Sequence, residues 1–84
     1  MGRRSPGRPA QIVFHDVARE QVENMSPAEL DRLEPVLDTI AANPKIGVPS
    51  KNGSIREHRD GVVRVVYVPT ALGTLILIAY VEAG

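Results

Sequence analysis

Glu57, Arg59 and Arg64 are the residues of this 84-residue chain whose types and spacing could do chemistry. Glu57 and Arg59 lie in the run Ser54-Ile55-Arg56-Glu57-His58-Arg59, and Arg64 lies in Val62-Val63-Arg64-Val65-Val66-Tyr67-Val68. A guanidinium presents a planar fork of donors that grips a phosphate bidentately, and a carboxylate held beside it can take up a proton. Arg64 stands in the middle of a Val-rich run, where burying an unpaired charge is costly. Its position therefore calls either for Glu57 as counter-ion or for a polyanionic ligand. A plain cross-strand ion pair, contributing roughly 0.2–1 kcal/mol, is the stronger reading on spacing alone, because structural ion pairs imitate sites. His15-Asp16 reads as the end of a strand and not as a metal or catalytic pair, since His58 is the one other His and no third ligand lies nearby.

These side chains must be positioned by a hairpin. Asp60-Gly61 between two β-prone runs is a strong short-range hairpin signal, because a type I′ turn needs φ > 0 at both central residues. With Asp60 and Gly61 as the loop, Arg59 faces Val62, Glu57 faces Arg64, and Ile55 faces Val66. Side chains alternate along a strand, so Glu57, Arg59 and Arg64 share one face. Arg56 and His58 fall on the other, with Val63, Val65 and Tyr67.

The remaining elements follow in order. Residues 1–10 form a basic, Pro- and Gly-rich tail, expected to be disordered; its Pro6-Gly7-Arg8-Pro9 is one imperfect copy of a minor-groove hook and carries little weight. Gln11 to His15 predicts a short strand. Asp16 is expected to cap a helix running to about Asn24, with Ala18, Val22 and Met25 buried. Ser26-Pro27-Ala28-Glu29 is a capping box with Pro at the first helical position. The helix it starts carries an apolar stripe of Leu30, Leu33, Leu37, Ile40 and Ala41, with Pro35 on the opposite, solvent side, and ends at Asn43-Pro44. Lys45 to Gly53 predicts a loop, and Pro69 to Gly73 a turn. Thr74 to Val81 predicts a last strand with Leu75, Leu77, Ala79 and Val81 on one face and Ile76, Ile78 and Tyr80 on the other.

Composition narrows the class. A chain of this length makes one small domain, over residues 11–84, with a thin core. The absence of Cys excludes disulfides and thiolate metal sites and fits a reducing cytoplasm. No metal or cofactor is expected. The apolar run near Leu75 to Val81 is far short of the roughly 20 residues of a membrane helix, and no signal peptide is visible. The net charge of zero conceals an asymmetry. Residues 16–38 are strongly acidic, whereas residues 45–64 carry Lys45, Lys51, Arg56, Arg59 and Arg64 against Glu57 and Asp60. Such a bipolar molecule can turn its basic side to a polyanion.

The predicted class is α+β in the order β-α-α-β-β-β, with two helices packed on one face of a small, mostly antiparallel sheet. Two strands apolar on both faces leave a second face for a partner. In that order, the helix end Ile40-Ala41-Ala42-Asn43-Pro44, the run Gly53-x-Ile55-x-Glu57-x-Arg59 and the run Gly61-Val62-Val63-Arg64-Val65-Val66-Tyr67, the sequence resembles the RelE/ParE superfamily of bacterial toxins over about residues 11–82. The last run is similar to the family's Arg-Val-hydrophobic-Tyr strand, and Glu-x-Arg before it resembles the HigB branch.

The resemblance implies a type II toxin neutralised by an antitoxin protein. RelE-like and HigB-like members cleave mRNA on the ribosome; ParE-like members bind DNA gyrase. Arg64 falls where RelE-like toxins place a phosphate-binding Arg, and Glu57 where RelE has a Lys. For metal-independent RNA cleavage the hairpin face offers Glu57 as base, Arg64 as phosphate clamp and Arg59 as second cation. Lys51, Arg56 and His58 would extend the RNA-binding surface or supply the acid. One departure is plain: the family strand continues into a basic or aromatic tail, and here Val81-Glu82-Ala83-Gly84 follows Tyr80. Three functions stay open: a ribosome-dependent endoribonuclease, a gyrase-binding toxin that needs no catalytic residues, and a non-toxic relative serving as an interaction module.

Overall fold

In the computed structural model, which describes residues 10–51, 53–70 and 72–84, the chain runs β1 (Gln11–Phe14), α1 (Asp16–Glu23), α2 (Pro27–Ala42), β2 (Val48–Pro49), β3 (Arg56–Asp60), β4 (Val63–Pro69) and β5 (Leu75–Ala83). The basic segment 1–9, Asn52 and Ala71 lie outside the described residues. Ala10 is already buried, and its N–H donates to the Ala41 carbonyl at 2.9 Å.

The sheet order is β1-β5-β4-β3-β2. β5 lies parallel to β1 and antiparallel to β4. β5 thus lies inside the sheet with a neighbour on each edge, and it is apolar from Leu75 to Val81. Both helices pack on one face, chiefly over β5. The core joins Ala18, Leu33, Val36 and Ile40 from the helices to Val63, Val65 and Tyr67 of β4 and Ile76, Ile78, Val81 and Ala83 of β5. No helix among the described residues is long and apolar enough to cross a membrane.

α2 begins as its sequence dictates. The Ser26 hydroxyl accepts from the Glu29 N–H at 3.2 Å, and the Glu29 carboxylate accepts from the Ser26 N–H at 2.8 Å. The helix runs unbroken through Pro35, which is exposed as its angular position requires. Its buried stripe is rotated from the expected one: Val36 is buried, while Leu30 is 38% exposed. α1 differs at its start. His15, extended and without a side-chain cap bond, is the N-cap, and Asp16 is the first helical residue. There its charge still suits the positive end of the helix dipole.

Three strand expectations are corrected. β2 forms where a loop is expected: Val48 and Pro49 pair with Glu57 and Arg56. A proline lacks the N–H for an inner ladder but is tolerated on an edge strand, and β2 is an edge. The β3–β4 register is also shifted by two. Gly61 and Val62 form the loop, so Asp60 faces Val63, Arg59 faces Arg64 and Glu57 faces Val66. Among the described residues only glycines have positive φ, Gly61 at 61°. A type I′ turn would need a second, and Gly at the first central position fits type II′ instead. Because the shift is even, every side chain keeps its expected face.

The third correction is a bulge. Tyr67 pairs with Ile78 but Val66 pairs with Tyr80, leaving Ala79 as the extra residue in β5. The alternation reverses there. Val81 and Ala83 turn into the core, and Tyr80 and Glu82 turn to the open face opposite the helices. Past the bulge, the Val81 N–H donates to Gln21 Oε1 of α1 at 2.8 Å, which ties the helix to the distorted strand.

Candidate functional site

The open face of the sheet has two zones. Toward the β1 side lie the half-buried Val66, Val68, Leu75, Leu77 and Tyr80. Beyond them, at the hairpin, stand Glu57, Arg59, Arg64 and Glu82. The structure brings the three expected residues together. Glu57 Oε2 accepts from Arg64 Nε at 2.6 Å and from Arg59 Nε at 2.8 Å. The observed register sets Arg59 directly across from Arg64, where like charges would repel. The shared Glu57 oxygen lies between them and offsets that repulsion.

Two further residues belong to the cluster. Glu82 lies directly across from Arg64 on β5, and its Oε1 accepts from Arg64 Nη1 at 3.3 Å. Arg64 Cζ sits 5.3 Å from the Tyr80 ring centroid, within reach of a cation–π attraction. Strict alternation sends Tyr80 into the core with Ile76 and Ile78; only the bulge brings it under Arg64.

Arg64 is therefore not an unpaired buried charge. Its side chain is 31% exposed, Glu57 is 34% exposed and Arg59 is 69% exposed. Ion pairs this accessible are screened by solvent and contribute little, so stability explains little of why four charges crowd a face that is otherwise apolar. The Arg64 hydrogen bond, followed by that of Arg59, holds the Glu57 carboxyl below the usual carboxylate range. Glu57 in turn, with Glu82, keeps Arg64 firmly charged.

A pH dependence follows. Glu57 has a depressed folded-state pKa, so the stability it contributes is present above the ordinary carboxylate range and is lost as pH falls through the lowered value. Urea midpoints should drop from about pH 6 to about pH 3, and less steeply in Glu57→Gln. Glu29, lowered by its bonds to the Ser26 backbone and hydroxyl, acts equally in both proteins. Identical slopes would show that Glu57 holds no such pair in solution.

The other expected residues are not drawn into the cluster. Arg56 lies on the opposite face, and its Nη1 donates to the Lys45 carbonyl at 3.0 Å and the Gly47 carbonyl at 2.6 Å. His58 shares that face, across from Val65. Lys51 is exposed in the segment after β2. Nearby, Tyr67 reaches through the core. Its hydroxyl donates to the Pro44 carbonyl at 2.8 Å and accepts from the Gly47 N–H at 3.0 Å. Burial pushes its phenol pKa up. Arg56 and Tyr67 together pin the loop that leads into β2. Among the described residues no group of three or more His, Asp or Glu side chains is placed to hold a metal ion.

No family model and no curated protein matches the sequence. Solved structures match the fold. The toxin–antitoxin complex RelBE2 of Mycobacterium tuberculosis contains a chain that superposes with a TM-score of 0.77 at 20% identity, over 92% of this chain and 100% of that one. The fold is that of RelE. An Escherichia coli RelE variant in complex with a RelB antitoxin peptide gives a TM-score of 0.72 at 14% identity, over 92% of this chain and 85% of that one. The archaeal RelE–RelB complex of Pyrococcus horikoshii gives 0.66 at 16% identity, over 90% and 96% of the two chains. The RelE-like α+β class expected from the element order is thus observed. On this RelE fold, the Arg64 cluster occupies the sheet face that the helices leave uncovered.

Proposed function

We propose that this chain is the toxin of a type II toxin–antitoxin module and acts by cutting mRNA on the ribosome, without a metal ion. The observation that carries the reading is the Glu57–Arg59–Arg64 cluster on the helix-free face of a RelE fold. It sets two guanidiniums and a carboxylate in mutual contact where a strand of RNA can reach them. Support for a partner comes from the same face. The apolar strip from Val66 to Leu77 is open beside the cluster, and the structural neighbours are toxins in complex with RelB proteins. An antitoxin segment laid along that strip would cover the Arg64 cluster.

In this mechanism the outer nitrogens of Arg64 and the guanidinium of Arg59 take the scissile phosphate, while Arg64 Nε stays on Glu57. An anion placed beside Glu57 works against the depression of its pKa and makes it a better base. Glu57 then takes the 2′-OH proton, the 2′-oxygen attacks phosphorus, and the two arginines stabilise the charge that builds on the phosphoryl oxygens. The 5′-oxygen leaves and is protonated by water. Lys51, in its exposed position, would meet flanking phosphates; Arg56 and His58 would lie at the far side of the hairpin.

Induction of the chain in a bacterial host tests the reading. Growth arrest with new mRNA ends inside reading frames is the expected outcome. Arrest with a DNA-damage response and intact mRNA would replace the ribosome with gyrase as target. Normal growth would leave an interaction module.

A further inference from the structure

Arg64 has two counter-ions of unequal grip. Glu57 holds Nε at 2.6 Å and is itself shared with Arg59. Glu82 holds Nη1 at 3.3 Å, and its side chain is 50% exposed. The two also sit on different sides of the guanidinium. Beside the hairpin turn is an open hollow of about 290 Å³ lined by Arg59, Gly61, Val62, Arg64 and Glu82. Both arginines line this hollow, and Glu82 is the acid on its wall. A phosphate entering it would meet the donors of Arg59 and Arg64 and, at the same time, the Glu82 carboxylate.

We propose that Glu82 is a specificity-determining residue of the Arg64 site: an internal competitor that must give up Arg64 Nη1 before a phosphate can bind. This rests on the reading of Arg64 as a phosphate-binding residue. The weaker and more exposed bond yields first, so the ligand displaces Glu82 and leaves Glu57 in place as base. The displacement sets a threshold. An isolated phosphate replaces one anion on Arg64 with another and gains little while Glu82 stays close enough to repel it. A single-stranded RNA, with neighbouring phosphates reaching Arg59 and Lys51, gains contacts that outweigh the loss. The class of ligand favoured is therefore a phosphodiester chain over a free phosphate. The bulge at Ala79 makes the arrangement available, because without it the side chain at position 82 would face the helices.

Fluorescence anisotropy with a labelled, uncleavable 2′-O-methyl RNA of about ten nucleotides tests the idea. Glu82→Gln keeps an oxygen acceptor for Nη1 and removes only the charge. It should tighten binding about two- to fivefold, the range expected for one accessible ion pair. Inorganic phosphate, added as competitor, should displace the RNA more effectively from Glu82→Gln than from the parent protein. The gain should vanish in an Arg64→Ala background, and Glu23→Gln on α1 should give none. Thermal melts run alongside establish that each variant is folded. Unchanged or weaker binding in Glu82→Gln, or an equal gain without Arg64, would overturn the role of Glu82. Loss of binding in Arg64→Ala together with no gain in Glu82→Gln removes that role alone. Undiminished binding in Arg64→Ala, or no binding by either the parent protein or Glu82→Gln, removes the phosphate-gripping reading and the inference with it.

Discussion

Arg64→Ala should abolish growth arrest and RNA cleavage while the domain stays folded. The separation of the two effects follows from exposure. Arg64 is 31% exposed and its partners Glu57 and Glu82 are 34% and 50% exposed. Removing it forfeits solvent-screened ion pairs and a cation–π contact with Tyr80, and leaves the buried core untouched. Glu57 is not stranded, because Arg59 Nε still donates to it at 2.8 Å. Because none of the core residues is disturbed, the melting transition should stay cooperative. The loss of function should be far larger. A guanidinium that binds the reacting phosphate stabilises charge in the transition state, and removing one such donor typically costs on the order of 100- to 1,000-fold in rate. Assays in a bacterial host and melts on the purified variant check the two halves. A stable, fully toxic Arg64→Ala protein would contradict the nuclease reading, and gyrase would become the leading target.

The largest effect on stability is expected at Gly47 and Tyr67. A Cβ on Gly47 would lie 2.7 Å from Tyr67 Oη, 3.0 Å from the Glu57 carbonyl and 3.1 Å from Arg56 Cβ. Two of these three neighbours belong to the β3 strand, which has little freedom to retreat. Gly47→Ala should therefore cost about 1–3 kcal/mol, as overpacking of a well-filled interior does. Tyr67→Phe acts from the other side. It leaves the buried Gly47 N–H without its acceptor and the Pro44 carbonyl without its donor, at about 1–3 kcal/mol for the orphaned group. The pair should not be additive. Deleting the hydroxyl removes the 2.7 Å clash, so alanine at position 47 should cost less in the phenylalanine background. Urea denaturation of the two single variants and the double variant measures the coupling. Additive losses would mean that Tyr67 and Gly47 do not meet as described.

Much of the site is legible in the chain because a strand alternates with period two. Glu57, Arg59 and Arg64 share a face whether the hairpin loop is Asp60-Gly61 or Gly61-Val62, since the two registers differ by an even number of residues. Pairing within the face is not fixed in this way. It depends on which residues form the turn, and Asp-Gly and Gly-Val both place glycine where positive φ is needed. The capping box at Ser26 and Glu29 is readable for the opposite reason: its chemistry is wholly local.

What escapes the sequence is long-range. The bulge at Ala79 is associated with Gln21 of α1, which binds the Val81 N–H across a separation of 60 residues. No local pattern near residue 79 marks it, yet it turns Tyr80 and Glu82 toward Arg64. β2 has the same character. Val48-Pro49 has no strand-like run around it and becomes a strand because Arg56 and Tyr67 hold the preceding loop against β3. The burial of Val36 in place of Leu30 reflects where α2 crosses β4 and β5, which the period of the helix does not specify.

The most direct measurement is made in a purified translation system. The protein is added to ribosomes programmed with a defined mRNA, and the RNA 5′ ends are mapped by primer extension. Cuts confined to the codon in the ribosomal A site, absent without ribosomes, undiminished by a metal chelator that leaves ribosomes intact, and missing with Arg64→Ala are the expected result. Intact mRNA in the presence of folded protein and actively translating ribosomes would contradict it.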